Sequence, residues 1–143
     1  MLKITSPKTE EEFRQYYNLR WRILRKPWNQ PEGSERDKSD TDCYHIIAID
    51  NKIIYGVARL EFPTNTSAQL RYMAVDDSYQ GQGIGRHIVT HMEQYAKNNN
   101  MDKLFLNARE NAVGFYEKLG YKITDKTYIL FDSIQHYKMI KKL

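Results

Sequence analysis

The 143-residue sequence predicts a mixed α/β fold, with helices flanking a mostly antiparallel sheet. Three observations lead there. Short runs rich in Ile, Val, Leu and Tyr, bounded by turn residues, recur as strands. Two other stretches, Phe13 to Leu24 and Ile84 to Ala96, carry apolar side chains at helical spacing. Asp50-Asn51, lying between the runs Cys43–Ile49 and Ile53–Phe62, reads as a hairpin turn and so as antiparallel pairing.

Leu2-Lys3-Ile4-Thr5 is a short first strand. Thr9 with Glu12 forms a capping box, and Phe13, Tyr16, Tyr17, Arg20 and Leu24 continue at helical spacing. Pro27 ends that helix, because the residue before proline avoids helical angles. Residues 26–42 are polar, with Pro31, Gly33 and Ser34, and read as a long mobile loop with room for a helical turn. Loops of that length in a compact domain are often functional. After the hairpin, Pro63-Thr64-Asn65-Thr66 turns the chain into the strand Ala68–Val75. A helix follows and runs to Asn98, and Leu104-Phe105-Leu106 is the next strand. The next helix starts at Ala112, with Gly120 as its C-terminal cap. Tyr121–Ile123, Tyr128–Phe131 and Ile134–Ile140 supply the last extended segments. The predicted order is βαββββαβαββ, give or take one element, in a single domain spanning 1–143.

Composition narrows the function. The chain is 41% hydrophobic and 28% charged, as in a soluble globular protein, and no apolar run approaches a membrane span. Met1-Leu2-Lys3-Ile4 leads into charged residues, so no secretory signal is expected and the expected location is cytoplasmic. The one cysteine, Cys43, excludes an internal disulfide and reads as a buried small hydrophobe in a strand. The net charge of +4 is dispersed and accompanies no nucleic-acid motif, so it reads as solvated surface with a mild attraction for anions. His87 and His91 lie one turn apart, but Ile88 stands where a zinc protease carries Glu; both read as exposed helix residues, and no metal is expected.

The most informative stretch is Tyr79-Gln80-Gly81-Gln82-Gly83-Ile84-Gly85-Arg86. Three glycines in five residues, at a strand-to-helix turn, leave backbone N–H groups uncovered at the positive end of a helix dipole. That is a site for a phosphate-bearing ligand. A P-loop would end in Gly-Lys-Ser/Thr, whereas Gly85 is followed by Arg86-His87; a dinucleotide loop would place a small residue where Arg86 or Ile88 stands.

The loop resembles the GNAT acetyltransferase signature Gln/Arg-x-x-Gly-x-Gly/Ala, preceded by a family-like strand end, Met73-Ala74-Val75-Asp76. Ala112-Val113-Gly114-Phe115-Tyr116-Glu117-Lys118-Leu119-Gly120-Tyr121 is similar to the family's Phe-Tyr-Glu-Lys-Leu-Gly-Phe helix end. Ile134-x-His136-x-x-Met139 and Asn107-Ala108 resemble a subgroup of small bacterial members. The resemblance implies a GNAT-like sheet and transfer of an acetyl group from acetyl-CoA to a primary amine of a small molecule or a protein. It also implies roles for residues. The backbone of Gly81, Gln82, Gly83, Ile84, Gly85 and Arg86, opened by Gln80, would hold the pyrophosphate. Backbone N–H groups of Met73, Ala74 and Val75 would stabilise the oxyanion where the fourth and fifth strands part. Asn107 would bond the pantetheine arm, or else its own strand end.

Tyr116 matches the tyrosine that protonates the departing thiolate; the bland alternative is a core aromatic. The glutamate that some members carry on the fourth strand is absent from Gln69-Leu70-Arg71-Tyr72. Glu61 is the nearest substitute as base, on the same face as Arg59 by two-residue alternation. A Glu61–Arg59 contact, or a water chain as base, is an equal alternative. Arg109 stands where the family commonly has an asparagine. Trp28, Asn29 and His136 fall where the acceptor would bind, with Trp21 as core; for His136 a hydrogen bond within an edge strand is the alternative. Two rival readings stay open: a non-catalytic acyl-CoA-binding module, and a basic interaction domain. Oligomeric state is open, with homodimers common among similar proteins.

Overall fold

The structure is a computed structural model describing residues Met1–Leu143. Seven strands alternate with three α-helices. They are β1 (Lys3–Thr5), α1 (Glu10–Leu24), β2 (Tyr44–Asp50), β3 (Ile53–Glu61), β4 (Ser67–Val75), α2 (Ile84–Asn98), β5 (Lys103–Arg109), α3 (Val113–Lys118), β6 (Lys122–Leu130) and β7 (Ile134–Lys142). The sheet order is β1-β2-β3-β4-β5-β7-β6; the pairing of β4 with β5 is parallel, while β1 with β2, β2 with β3, and β7 with both neighbours are antiparallel. Three strands, not four, lie between α1 and α2, one fewer than the predicted order.

The chain divides into two compact units, Met1–Glu61 with Tyr72–Met92 and Phe62–Arg71 with Glu93–Leu143. In the first, α1 starts at the predicted capping box: Thr9 Oγ1 accepts from Glu12 N at 3.1 Å while Glu12 Oε1 accepts from Lys8 N at 2.8 Å. Its inner face sets Tyr16 and Leu19 against Ile47, Ile54, Val57 and Ala74, the apolar core of this unit. The hairpin between β2 and β3 turns at Asn51 and Lys52, both with positive φ (51° and 68°), one residue later than predicted, because a two-residue hairpin of this hand needs left-handed backbone at both central positions. On β3, a Cβ at Gly56 would meet Ile88 Cδ1 at 2.8 Å and Ile84 Cγ2 at 3.0 Å, so the absent side chain sets how closely α2 approaches.

The polar stretch 26–42 is more ordered than expected. It contains 3₁₀ turns at Lys26–Trp28 and Lys38–Asp42, and the second has its own capping box, with Asp37 as cap and Asp40 as the reciprocal partner. Cys43 ends that turn and precedes β2 instead of lying in it.

In the second unit, Ser67–Gln69 pair with Lys103–Phe105, and β7 lies between β5 and β6. β6 is continuous from Lys122 to Leu130, where the sequence suggested two short segments. Eight of its nine residues are exposed on the sheet's edge, so no buried face imposes the apolar alternation that would reveal a strand. α3 closes with a Schellman motif: Gly120 N bonds Glu117 O at 3.0 Å, and Tyr121 N bonds Tyr116 O at 3.1 Å. Gly120 has φ 97°, which is why glycine stands there.

Candidate active site

The glycine loop is built as a cradle. From Val75 the chain enters a short 3₁₀ turn, Asp77–Tyr79, capped by Asp76, whose Oδ1 accepts from Ser78 N at 2.9 Å. Burial of Asp76 works against its charge, but that bond and Arg22 at 3.2 Å outweigh it and hold the carboxyl below its ordinary range. Gln80 then reaches back: its Nε2 donates to Val75 O at 3.1 Å and to Asp77 Oδ1 at 3.2 Å. Its side chain thus braces the loop. Gly81 and Gly83 both have φ 82°, and a Cβ on either would find nothing within 4 Å. The left-handed backbone explains glycine at both, and the space above each is open. Gln82 and Arg86 are exposed, Ile84 is buried at the start of α2, and Gly85 lies in its first turn. The first N–H groups of this 15-residue helix have no partner within it and carry the positive end of its dipole.

Upstream of the loop, Met73 and Val75 are half-buried and Ala74 is buried. Just before them the backbone does something no sequence pattern announces: Tyr72, inside β4, has φ 52°. The other non-glycine residues with positive φ lie at turns or after helices. An aromatic residue held there costs on the order of 1–3 kcal/mol and persists only where its surroundings hold it. The Tyr72 ring lies 4.0 Å from Arg20 Cζ, 4.8 Å from Arg59 Cζ and 5.6 Å from Arg25 Cζ, and its hydroxyl donates to Asp37 Oδ2 at 3.2 Å.

Those arginines centre a buried ionic cluster. Both Arg20 and Arg59 are 0% exposed. Arg59 Nη1 donates to Asp37 Oδ1 at 2.6 Å and Asp40 Oδ1 at 2.8 Å, and its Nη2 donates to Glu61 Oε2 at 3.0 Å. Arg20 Nη1 donates to Asp40 Oδ1 at 3.0 Å and its Nη2 to the Glu35 carbonyl. Burial disfavours charge on Asp40, yet the Arg59 and Arg20 contacts win and hold its carboxyl below its ordinary value; for Arg59 too, hydrogen bonds to Asp37 and Asp40 overcome burial and raise its pKa. His45 adds a further tie. Asp40 O only accepts, so His45 Nε2 carries the proton and donates to it at 2.6 Å, leaving Nδ1 to accept from Tyr16 Oη at 2.6 Å. Burial favours this neutral ring by lowering its pKa.

Glu61 therefore sits where alternation put it, on the same face as Arg59, and it is ion-paired there. Cys43 Sγ donates to the same Glu61 oxygen at 3.5 Å, and burial pushes the thiol up to about 11, which keeps it protonated and unreactive. Trp28 ends the first 3₁₀ turn half-buried, and Asn29 follows it, exposed, in left-handed backbone at φ 57°. Trp21 is half-buried rather than core, its Nε1 donating to Gln30 O at 2.9 Å. His91 also differs from expectation: it is half-buried and shares a 2.9 Å hydrogen bond with the Tyr44 hydroxyl.

In the second unit, the Tyr116 ring is packed edge-on against Phe115 at 5.0 Å and Tyr121 at 5.8 Å between centroids. Tyr121 is fixed in turn by its hydroxyl bond to Glu93 Oε2 at 2.8 Å, and the Schellman motif orients both rings from one turn. Tyr116 is 8% exposed, and its hydroxyl makes no hydrogen bond to another protein group. Burial raises its pKa, so the phenol stays protonated. Asn107 is half-buried on β5, opposite Lys138 of β7. His136 is buried, stacked on Tyr128 at 4.4 Å, with Nδ1 against Ile134 O at 3.0 Å. β7 is an inner strand, so the edge-strand alternative for His136 is corrected: the edge is β6.

The structure thus joins the strand end 73–75, the loop 80–86, Glu61 and the Trp28 turn in one unit, and Tyr116, Asn107 and His136 in the other. The residues that sequence reasoning did not single out are Tyr72, Arg20, Asp37 and Asp40, whereas the Glu61–Arg59 contact it named is present at 3.0 Å. One signal was available: Arg20 falls three and four residues after Tyr17 and Tyr16, on the apolar face of its helix, where a charge needs a buried partner. No group of three or more His, Cys, Asp or Glu side chains is placed to hold a metal, and no helix is long and apolar enough to cross a membrane.

Known proteins share this sequence pattern and fold. The family model for the acetyltransferase (GNAT) family matches residues 13–121. A candidate acetyltransferase of Bacillus subtilis strain 168 is 32% identical over 143 residues, covering 98% of this chain and 94% of its own. The fold is shared with a candidate N-acetyltransferase from Lactobacillus plantarum (TM-score 0.87, 24% identity, 99% and 98% of the two chains). It is shared too with the PaiA N-acetyltransferase of Thermoplasma acidophilum in complex with coenzyme A (TM-score 0.80, 17% identity, 100% and 99%). The chain belongs to the GNAT acetyltransferase family, and it is an acyltransferase that works with a coenzyme A-borne acyl group.

Proposed function

We propose that this enzyme moves the acetyl group of acetyl-CoA to a primary amine, on a small molecule or a protein, by direct attack of the amine on the thioester carbon. The observation that carries the reading is the loop: two left-handed glycines over open space at the start of α2, beside exposed Arg86. Backbone N–H groups of residues 81–86 take the pyrophosphate, and Asn107 the pantetheine arm. N–H groups of Met73, Ala74 and Val75 stabilise the oxyanion that forms as the amine nitrogen bonds to carbon. When the C–S bond breaks, the Tyr116 hydroxyl gives its proton to the departing thiolate; the products are an amide and free coenzyme A. The acceptor's ammonium loses one proton to water before attack, and the second proton that nitrogen sheds as the amide forms returns, through water, to the Tyr116 phenolate. Glu61 is a weak candidate for taking the acceptor's proton, because its Oε2 is already held by the Arg59 guanidinium at 3.0 Å. Trp28, Asn29 and His136 are assigned to acceptor recognition. The same reading takes residues 1–143 as one cytoplasmic N-acetyltransferase domain that uses no metal and binds neither nucleic acid nor membrane.

The loop is tested at Gly83. Valine there adds bulk to the open space and strains a φ of 82°; asparagine tolerates the left-handed backbone and adds bulk alone. Both Gly83→Val and Gly83→Asn are expected to weaken acetyl-CoA binding at least about tenfold, ~1.4 kcal/mol. Titration calorimetry on folded variants with unchanged affinity would remove the loop from the site.

A further inference from the structure

We propose that Tyr72 is a positioning residue for acyl transfer, held in left-handed backbone by the buried Arg20–Arg59–Asp37 cluster so that the segment 31–42 and the strand end Met73–Val75 are fixed as one piece. It rests on the reading that Met73–Val75 meet the thioester oxygen.

Three observations carry it. First, a left-handed residue inside a strand rotates the peptide groups that follow it out of the regular ladder, as at a bulge. Tyr72 is the residue immediately before Met73, so its φ of 52° sets the direction of those N–H groups. Second, no local preference keeps a tyrosine there, so the conformation depends on outside restraint. That restraint is the cluster: the arginine faces at 4.0 and 4.8 Å, and the hydroxyl bond to Asp37. Third, the restraint is anchored in the other segment. Asp37 caps the 3₁₀ turn Lys38–Asp42 through Ser39 N at 2.9 Å, while its Oδ1 also takes Arg59 at 2.6 Å. The far side of Met73–Val75 is tied as well, since Asp76 N bonds Tyr55 O at 2.9 Å and its carboxylate pairs with Arg22 of α1 at 3.2 Å. Arg20 and Arg22, two residues apart on α1, thus flank the stretch.

Three variants separate the parts. Tyr72→Phe keeps the ring and removes the bond to Asp37; Asp37→Asn weakens the same link from its other end; Tyr72→Asn keeps a residue that tolerates left-handed backbone and removes the ring. Tyr72→Phe is expected to lower kcat about tenfold and Tyr72→Asn about a hundredfold, since small misplacements of reacting groups cost that much. Acetyl-CoA affinity is expected to stay within about twofold, because the loop 81–86 is untouched. Tyr72→Phe and Asp37→Asn combined are expected to cost no more than the larger single loss, as for two ends of one link. The direct readout is the infrared stretch of acetyl-CoA labelled with ¹³C at the thioester carbonyl. In the wild type it moves to lower wavenumber on binding if N–H groups polarise it, and in Tyr72→Phe that movement shrinks. No movement in the wild type overturns the assignment of Met73–Val75 and the proposal with it. A full movement in the variants, with kcat unchanged, overturns the role of Tyr72 alone. If Tyr72→Asn fails to fold, the Tyr72→Phe and Asp37→Asn measurements decide.

Discussion

Tyr72 and Tyr116 carry the same side chain and are set up in opposite ways. Tyr72 stands on left-handed backbone among guanidinium groups, and its hydroxyl donates to Asp37. Tyr116 stands on relaxed helical backbone among other rings, and its hydroxyl donates to no protein group. The first hydroxyl is part of the scaffold; the second still has its proton to give. If Tyr72 positions and Tyr116 donates, as proposed above, what separates the two is the partner of the oxygen and the strain of the backbone, not the residue type. The environments differ in the same sense. Around Tyr72 stability is electrostatic and depends on matched buried charges, whereas around Tyr116 it comes from ring packing and a helix cap.

The sharpest way to break this contrast is to remove a charge from the cluster. Arg59→Met keeps length and apolar volume but takes one guanidinium from Asp40, whose side chain is 8% exposed, and one each from Asp37 and Glu61. Breaking a buried pair from one side costs about 3–5 kcal/mol, because the remaining charge stays desolvated. Urea unfolding is expected to show a loss of that size for Arg59→Met, partly recovered by Arg59→Lys. A loss under about 1 kcal/mol would mean the cluster is hydrated and contributes little.

Tyr116→Phe tests the other half. It removes one hydroxyl without a protein partner, so unfolding stability is expected to stay within about 1 kcal/mol of the wild type. kcat is expected to fall about ten- to a thousandfold, and acetyl-CoA affinity to change little, since the proton is needed only as the C–S bond breaks. Burial holds the phenol above its ordinary 10, so the wild-type rate should show no alkaline loss from this group below about pH 10. Full activity in the variant would return Tyr116 to the core.

Much of this arrangement was legible beforehand, for identifiable reasons. The Gly81–Arg86 loop and the Gly120 cap could be read because positive φ selects glycine, and glycine is visible in a sequence. The Thr9 capping box was legible from side chains three residues apart. Tyr72 was not, because its conformation is imposed by Arg20, Arg59 and Asp37, which arrive from α1, β3 and the 31–42 segment. Residues 26–42 read as mobile for a related reason: their polar side chains suit solvent, and only the fold supplies the two buried arginines that hold Asp37 and Asp40. β6 escaped because an exposed edge strand has no alternation to show.

The smallest expected effect lies in the same segment, at Trp28. The turn that carries it is well supported by backbone: Trp28 N bonds Arg25 O at 3.0 Å, Asn29 N bonds Lys26 O at 2.9 Å, and Gln30 Nε2 donates to Trp28 O at 3.2 Å. The half-buried indole is thus dispensable for closing the turn, and truncation should leave the backbone in place. If Trp28 meets the acceptor, Trp28→Ala removes binding surface that substrate and transition state use alike. The acceptor KM should then rise, by roughly three- to tenfold for a partly exposed ring, while kcat and acetyl-CoA affinity stay nearly constant. Steady-state kinetics with both substrates varied would resolve the split. An equal loss for both substrates, together with lower unfolding stability, would place Trp28 in the scaffold beside Tyr72 and leave acceptor recognition to Asn29 and His136.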